Sequence, residues 1–355
     1  MTLPHELIAR LPKTDLHLHL DGSIRLSSMI ELARGQGIAL PSEDADKLLA
    51  HLTPNNSDLE GYLRFFDTTL SVLDTEEALE RCAFELAEDA ARENVRYLEV
   101  RYSPLLHQKR GLELEPIVEA VIRGLKRAEA QYRIRSGVIL CGIRSMDPLE
   151  SLRLADLTVA YKRRGVVAFD LAGAEKDYPA KEHRDAFLRI LKHNINVTVH
   201  AGEGFGPPSI AQALHFCGAH RIGHGTRLRE DPDLLAFVND HRIPLEMCLT
   251  SNLQTGTVAR LEDHPFGDYF RRGLRVTLNT DNRLISNTTL TQELELACRL
   301  FDLDAADLRK ILINGFKSAF LPHEEKVALL REAISEMDAV FLEFDPTYVP
   351  YRTFL

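Results

Sequence analysis

Cysteine is scarce in this 355-residue chain: Cys82, Cys141, Cys217, Cys248 and Cys298 lie far apart, with no C-x-x-C pair. An odd count at such spacings argues against a disulfide framework and against a structural zinc cluster of thiolates. A reducing, cytoplasmic setting is expected. Long apolar runs are missing too. No stretch approaches the about 18 apolar residues of a membrane span, and the first twenty residues hold no apolar core followed by a small-residue cleavage site. No membrane or targeting segment is expected. Positive net charge is also lacking: 53 acidic against 43 basic residues leave a formal charge of −10. A field of that sign does not attract phosphate backbones or anionic membrane surfaces, so a nucleic-acid polymer is not the expected partner. There is no internal repeat, Gly/Ser linker or break in composition, which favours one domain.

What is present is ordinary globular material, 45% hydrophobic and 27% charged. The length exceeds the roughly 250–300 residues at which single cores stop growing, yet closed α/β barrels run from about 200 to over 400 residues as one unit. Eight apolar or alternating runs read as strands: 14–20, 95–104, 136–144, 166–173, 196–202, 221–226, 243–252 and 275–282. Helix signals fall between them. Asp74 and Glu77 form a capping box ahead of an apolar stripe, Asp147 and Pro148 open a helix expected to stop at Gly165, and Ser209 and Asp231 start two more. Alternating strands and helices imply parallel β-α-β units, and eight of them close a (β/α)8 TIM barrel; an open doubly wound sheet is the alternative. Residues 23–94 hold several helices after the first strand, a candidate lid, and 287–340 add helices at the C-terminal end. The last stretch, FDPTYVPYRTFL, reads as an irregular tail. The expected domain is thus 1–355, a single barrel with these additions.

Chemistry-bearing residues collect at strand ends. His17 and His19 are two apart on the first strand, so the strand period points both to one face. His200 ends the fifth strand, His224 the sixth and Asp281 the eighth. Taken singly, each is more often a satisfied polar group at a strand end; in a barrel all converge on one mouth, where imidazoles and a carboxylate suit zinc or a similar divalent ion. Glu203, in HAGE, is a candidate proton donor if desolvated, and otherwise a solvated loop residue. His5, His51, His107, His183, His193, His215, His220, His241, His264 and His323 take the surface or capping reading. Phe65 and Phe66 fit an apolar pocket wall or a core helix equally well.

The segments KTDLHLHLDGS (13–23), RYSP (101–104), DLAGAE (170–175), HAGE (200–203), RIGHGT (221–226), TSN (250–252) and NTDN (279–282) together resemble the adenosine deaminase family of the amidohydrolase superfamily. The resemblance implies a mononuclear zinc barrel, a hydrolase of C–N bonds that removes the 6-amino group of a purine and releases ammonia. By the same resemblance His17, His19, His200 and Asp281 hold one zinc ion per chain and leave one position for water. His224 orients or deprotonates that water, Glu203 gives a proton to purine N1, Gly173 donates its N–H to N3, and Asp21 binds the ribose 5′-hydroxyl; His19 also borders the substrate. Asn282 stands where many members carry Asp. An amide donates to purine N7 at any pH, whereas a carboxyl does so only when protonated.

The implied function is deamination of a purine nucleoside, adenosine or deoxyadenosine, to the inosine product. Alternatives are a related 6-aminopurine, either aminodeoxyfutalosine of menaquinone biosynthesis or free adenine, and an inactive nucleoside-binding barrel. Asp21 leans toward a nucleoside, because adenine deaminases of the family tend to carry Glu in that segment. A binuclear hydrolase is disfavoured, since Lys176 lies beyond the fourth strand, too late to bridge two metals. A small purine nucleoside is the expected partner, which a charge of −10 does not exclude.

Overall fold

Eight parallel strands succeed one another in sequence order around one sheet in the computed structural model, which describes residues 3–54 and 57–350. They are β1 Lys13–His19, β2 Val95–Tyr102, β3 Arg135–Ile143, β4 Val166–Ala172, β5 Asn196–Ala201, β6 Arg221–His224, β7 Leu245–Met247 and β8 Val276–Leu278. Each pairs in parallel with the next. The ring is completed just past β8, where Asp281 N–H donates to His17 O and His19 N–H to Asp281 O, both at 2.8 Å. The two edges of the sheet therefore meet, and the open doubly wound alternative is excluded. β4 and β5 are almost wholly buried, as strands covered by helices outside and side chains inside must be.

The helices follow their capping chemistry. Asp147 accepts from Leu149 N–H at 2.9 Å and Pro148 begins the helix. It ends at Tyr161 rather than Gly165, because Lys162 turns extended and bridges to Val166. The Glu76–Arg92 helix is capped by Thr75, whose hydroxyl accepts from Ala78 N–H at 3.2 Å, and not by Asp74. Asp231 caps Pro232–Asp240. The helix expected from Ser209 starts two residues earlier, at Pro207. The seventh run divides: after three strand residues, Leu249–Gln254 turns helical and carries Thr250, Ser251 and Asn252.

Between β1 and the Glu76–Arg92 helix stand Leu26–Gln36, Ala45–Leu52, Leu59–Leu63 and Phe66–Leu70; after β8 come Leu290–Leu300, Ala305–Ser318 and His323–Phe344. The expected tail is non-helical from Asp345, and its residues 351–355 lie outside the described residues. All five cysteines are free and buried. No described helix is long and apolar enough to cross a membrane.

Candidate active site

His17 and His19 on β1, His200 on β5 and Asp281 beyond β8 each bring a ligand atom within 4.8 Å of the others. His19 Nε2 lies 3.1 Å from His200 Nε2. Asp281 Oδ1 lies 3.4 Å from His17 Nε2 and 3.5 Å from His19 Nε2. Atoms bonded to one tetrahedral ion at about 2.0–2.1 Å stand about 3.3 Å apart, so these spacings fit zinc. His17 Nε2 is buried without a hydrogen-bond partner, a cost of about 1–3 kcal/mol that a cation at this point removes. Burial holds His19 and His200 below the ordinary imidazole range, in the neutral form that binds metal. A second group, His224, Cys248 and Asp281, also lies close together. That group offers three donors against the four of the first, and burial pushes the Cys248 thiol well above its ordinary range.

The imidazoles are oriented from behind. His17 Nδ1 meets Glu246 Oε2 at 2.9 Å and His200 Nδ1 meets Asp170 Oδ2 at 3.0 Å. Each carboxylate places the ring proton on Nδ1 and leaves Nε2 as the inward lone pair. Arg101 joins the two, donating from Nη1 to Asp170 at 2.9 Å and from Nη2 to Glu246 at 2.8 Å, while Arg221 Nε donates to Glu246 at 2.5 Å. Burial alone would raise both carboxyls; Arg101 and Arg221 hold Glu246 down, and His200 with Arg101 does the same for Asp170. Sequence reasoning assigns Arg101, Asp170, Arg221 and Glu246 no role. Their signal is a charged residue inside an otherwise apolar strand, as in VRYLEVRY.

Glu203 follows β5 in a tight turn. Gly202 has φ +75°, and a Cβ there would stand 2.5 Å from Ile210. The Glu203 carboxyl accepts from Thr255 Oγ1 at 3.1 Å, and its Oε2 lies 3.4 Å from His224 Nε2. Burial first, then the charges of Asp281 and Glu175, push it well above the carboxylate range, which favours its protonated form. Asn252 fixes the neighbouring tautomer. Its Oδ1 accepts from Thr226 Oγ1 at 2.8 Å and from His264 Nε2 at 3.1 Å, so its Nδ2 is the atom 3.1 Å from His224 Nδ1. An amide nitrogen only donates, so His224 Nδ1 accepts and a neutral ring carries its proton on Nε2. Burial keeps that ring neutral. Ser251 Oγ donates to Asp281 Oδ2 at 2.5 Å. His224 and Asp281 adopt left-handed backbone, φ +61° and +59°, a strain of about 1–3 kcal/mol each that recurs at functional sites.

A cavity of about 250 Å³ takes in every sequence-predicted site residue except His17, which is fully buried. Leu59, Tyr62, Leu63, Phe66 and Leu70 from the helices after β1 form its apolar side; Phe66 lines it and Phe65 does not. No lysine or arginine is among the described residues that line it. Asp21 is buried with Oδ1 unpartnered, and burial pushes its carboxyl up to about 7. Gly173 sits at φ +98° with ordinary space around it, so conformation rather than crowding requires glycine. Asn282 Nδ2 donates to Tyr62 Oη at 3.0 Å, leaving a second amide hydrogen. The guanidinium of Arg283 pairs with Glu93. Three of the histidines given a surface or capping reading are buried instead: His107, His183 and His264 bond to Leu73 O, to Ser151 and Arg144 O, and to Asn252.

A sequence model of the family described as adenosine deaminase matches residues 12–336. An adenosine deaminase of Mycobacterium sp. (strain JLS) is 43% identical over 359 residues, covering 96% of this chain and 99% of that one. A probable adenosine deaminase of Dictyostelium discoideum is 40% identical over 95% of this chain, which spans only 44% of that longer protein. Among solved structures, the Arabidopsis N6-mAMP deaminase superimposes with TM-score 0.84 at 28% identity, covering 93% of this chain and 99% of the other.

Proposed function

The chain belongs to the adenosine deaminase family, and from that premise we propose that it hydrolyses the 6-amino group of a purine nucleoside, adenosine or deoxyadenosine, to give the inosine product and ammonia. One observation carries the reading: a buried carboxyl, Glu203, lines the same pocket as three imidazoles and the Asp281 carboxylate, and burial favours its protonated form. His17, His19, His200 and Asp281 would hold one zinc ion. Bound there, zinc supplies Lewis-acid activation of water, lowering its pKa to about 7.

The chain's own groups do the rest. Glu203 gives its proton to purine N1, which draws electrons from C6 and opens it to addition of water oxygen. His224, with its proton on Nε2, donates toward the incoming water and orients it, a role the Asn252 contact favours over that of base. The Asp281 carboxylate accepts the water proton and passes it to the 6-amino group, so that the C6–N bond breaks and ammonia leaves; the C6 hydroxyl proton returns to Glu203 as the carbonyl forms. Gly173 N–H faces N3, the free amide hydrogen of Asn282 serves N7, and Asp21 takes the ribose 5′-hydroxyl. The unpartnered Asp21 oxygen supports a nucleoside over free adenine. The lack of a cation among the described lining residues supports a nucleoside over a nucleotide, whose phosphate calls for Arg or Lys. Residues 1–355 act as one catalytic unit, with 23–94 supplying the lid, and the free thiols support a reducing, cytoplasmic setting.

The test is kcat/KM for the zinc-loaded protein on adenosine, deoxyadenosine, adenine, AMP and aminodeoxyfutalosine. Adenosine and deoxyadenosine are expected to lead. A faster adenine, AMP or aminodeoxyfutalosine reaction overturns the substrate, and no ammonia from any of them leaves the inactive binding barrel.

A further inference from the structure

The loop that carries Glu203, residues 202–206, lies outside regular secondary structure, and the turn begins on the left-handed Gly202. Its amides converge on a single side chain. Glu175, in the segment after β4, accepts from Gly202 N–H through Oε1 at 2.6 Å, and through Oε2 from Glu203 N–H and Phe205 N–H, both at 3.0 Å. The residue is 3% exposed. Beside it, a Cβ on Gly204 would stand 2.8 Å from Leu59 of the lid and 3.6 Å from Glu175 Cβ, so the lid packs onto the same turn.

We propose that Glu175 is a positioning residue that sets the height and aim of Glu203 in the pocket by clamping three amides of one turn, those of Gly202, Glu203 and Phe205. Two oxygens accepting three N–H groups match a carboxylate and no other side chain of this length, because a carboxamide has one acceptor oxygen and presents a donor at the other place. The clamp seizes the main chain of Glu203 itself, while Thr255 and Asn252 hold its carboxyl from the opposite side. The backbone is thus fixed from β4 and the side chain from the segment after β7. Releasing the first lets the carboxyl swing about the second.

This inference rests on Glu203 as the proton donor. In the zinc-loaded full chain, E175Q is expected to lower kcat on adenosine roughly 10- to 100-fold, the order of loss from a misplacement of about 1 Å. KM is expected to stay within about threefold and zinc content at the wild-type level, while amide exchange of residues 202–205 quickens and that of the strands does not. Wild-type kcat in E175Q, or a loss accompanied by zinc release and general exchange, overturns the positioning role. E175D, which keeps both oxygens one methylene short, covers a failure of E175Q to fold: an intermediate kcat is expected, and wild-type kcat overturns the proposal. E203Q made alongside separates the two ideas. Full turnover in E203Q removes the proton donor, whereas full turnover in the Glu175 variants alone removes only the clamp.

Discussion

A carboxyl that is to release a proton at neutral pH must first be kept protonated, and burial among other acids pushes Glu203 in that direction. The same burial keeps His224 neutral, so the two groups, 3.4 Å apart, do not neutralise each other as an ion pair. Replacing Glu203 with Gln preserves shape and removes the acid. E203Q is expected to retain metal, by elemental analysis, and to lose about 10²- to 10⁴-fold in kcat, the usual worth of a positioned acid; loss of metal in this variant contradicts the assignment. Asp21 tests the ribose end independently. A hydrogen bond to a charged group contributes about 1.5–3 kcal/mol, so D21A is expected to cut kcat/KM for adenosine roughly 10- to 100-fold and to leave adenine nearly unchanged. Equal losses on both substrates remove the ribose role.

At the scale of elements, side chains far from the reacting atoms hold the mouth together. Glu293, in the first turn of Leu290–Leu300, accepts from Leu249 and Thr250 N–H and from the hydroxyls of Thr250 and Thr288, tying that helix to the segment after β7. Burial pushes its carboxyl from an ordinary 4.5 to about 7. The folded state then binds the proton more tightly than the unfolded chain, so stability falls as pH rises between those values, by about 3 kcal/mol in all. E293Q does not titrate there. Urea midpoints at pH 4.5 and pH 7.5 are expected to differ less in E293Q than in wild type, and an unchanged difference refutes the assignment. Much of this layer is legible in sequence. Strands buried on both faces read as continuous apolar runs, and helix starts show in residues such as Asp147 and Asp231. The misreadings have physical reasons: LTSN has strand-like neighbours but turns helical, and Asp74 and Thr75 are both able caps that only geometry separates. His17, His19, His200, His224 and Asp281 stand out because imidazoles and a carboxylate at strand ends have no apolar purpose. Glu175, Arg101, Asp170 and Glu246 stay silent, because a lone charge on a strand or loop reads as solvated until its partners from other strands are known.

For the whole molecule, the proposed ion would join three parts of the ring. The proposed ligands come from β1, from β5 and from the chain just past β8, where the Leu18–Asp281 bridge closes the barrel. Bringing His19 and His200 nitrogens to 3.1 Å, and His17 Nε2 to a buried point without a partner, costs free energy that bound metal returns. Metal held only by the folded state stabilises it by RT ln(1 + [metal]/Kd), about 4 kcal/mol at a thousandfold excess over Kd. With an unfolding entropy of about 2.1 cal/mol/K per residue, a chain of 355 residues changes Tm by roughly 5 °C for that energy. Chelation is therefore expected to lower Tm by roughly this amount and added zinc to restore it, with no substrate present. H17A, which removes one donor from the closure side, is expected to abolish the zinc-dependent part of Tm. A zinc response of the same size in H17A would place the ion elsewhere and break the link between barrel closure and the site.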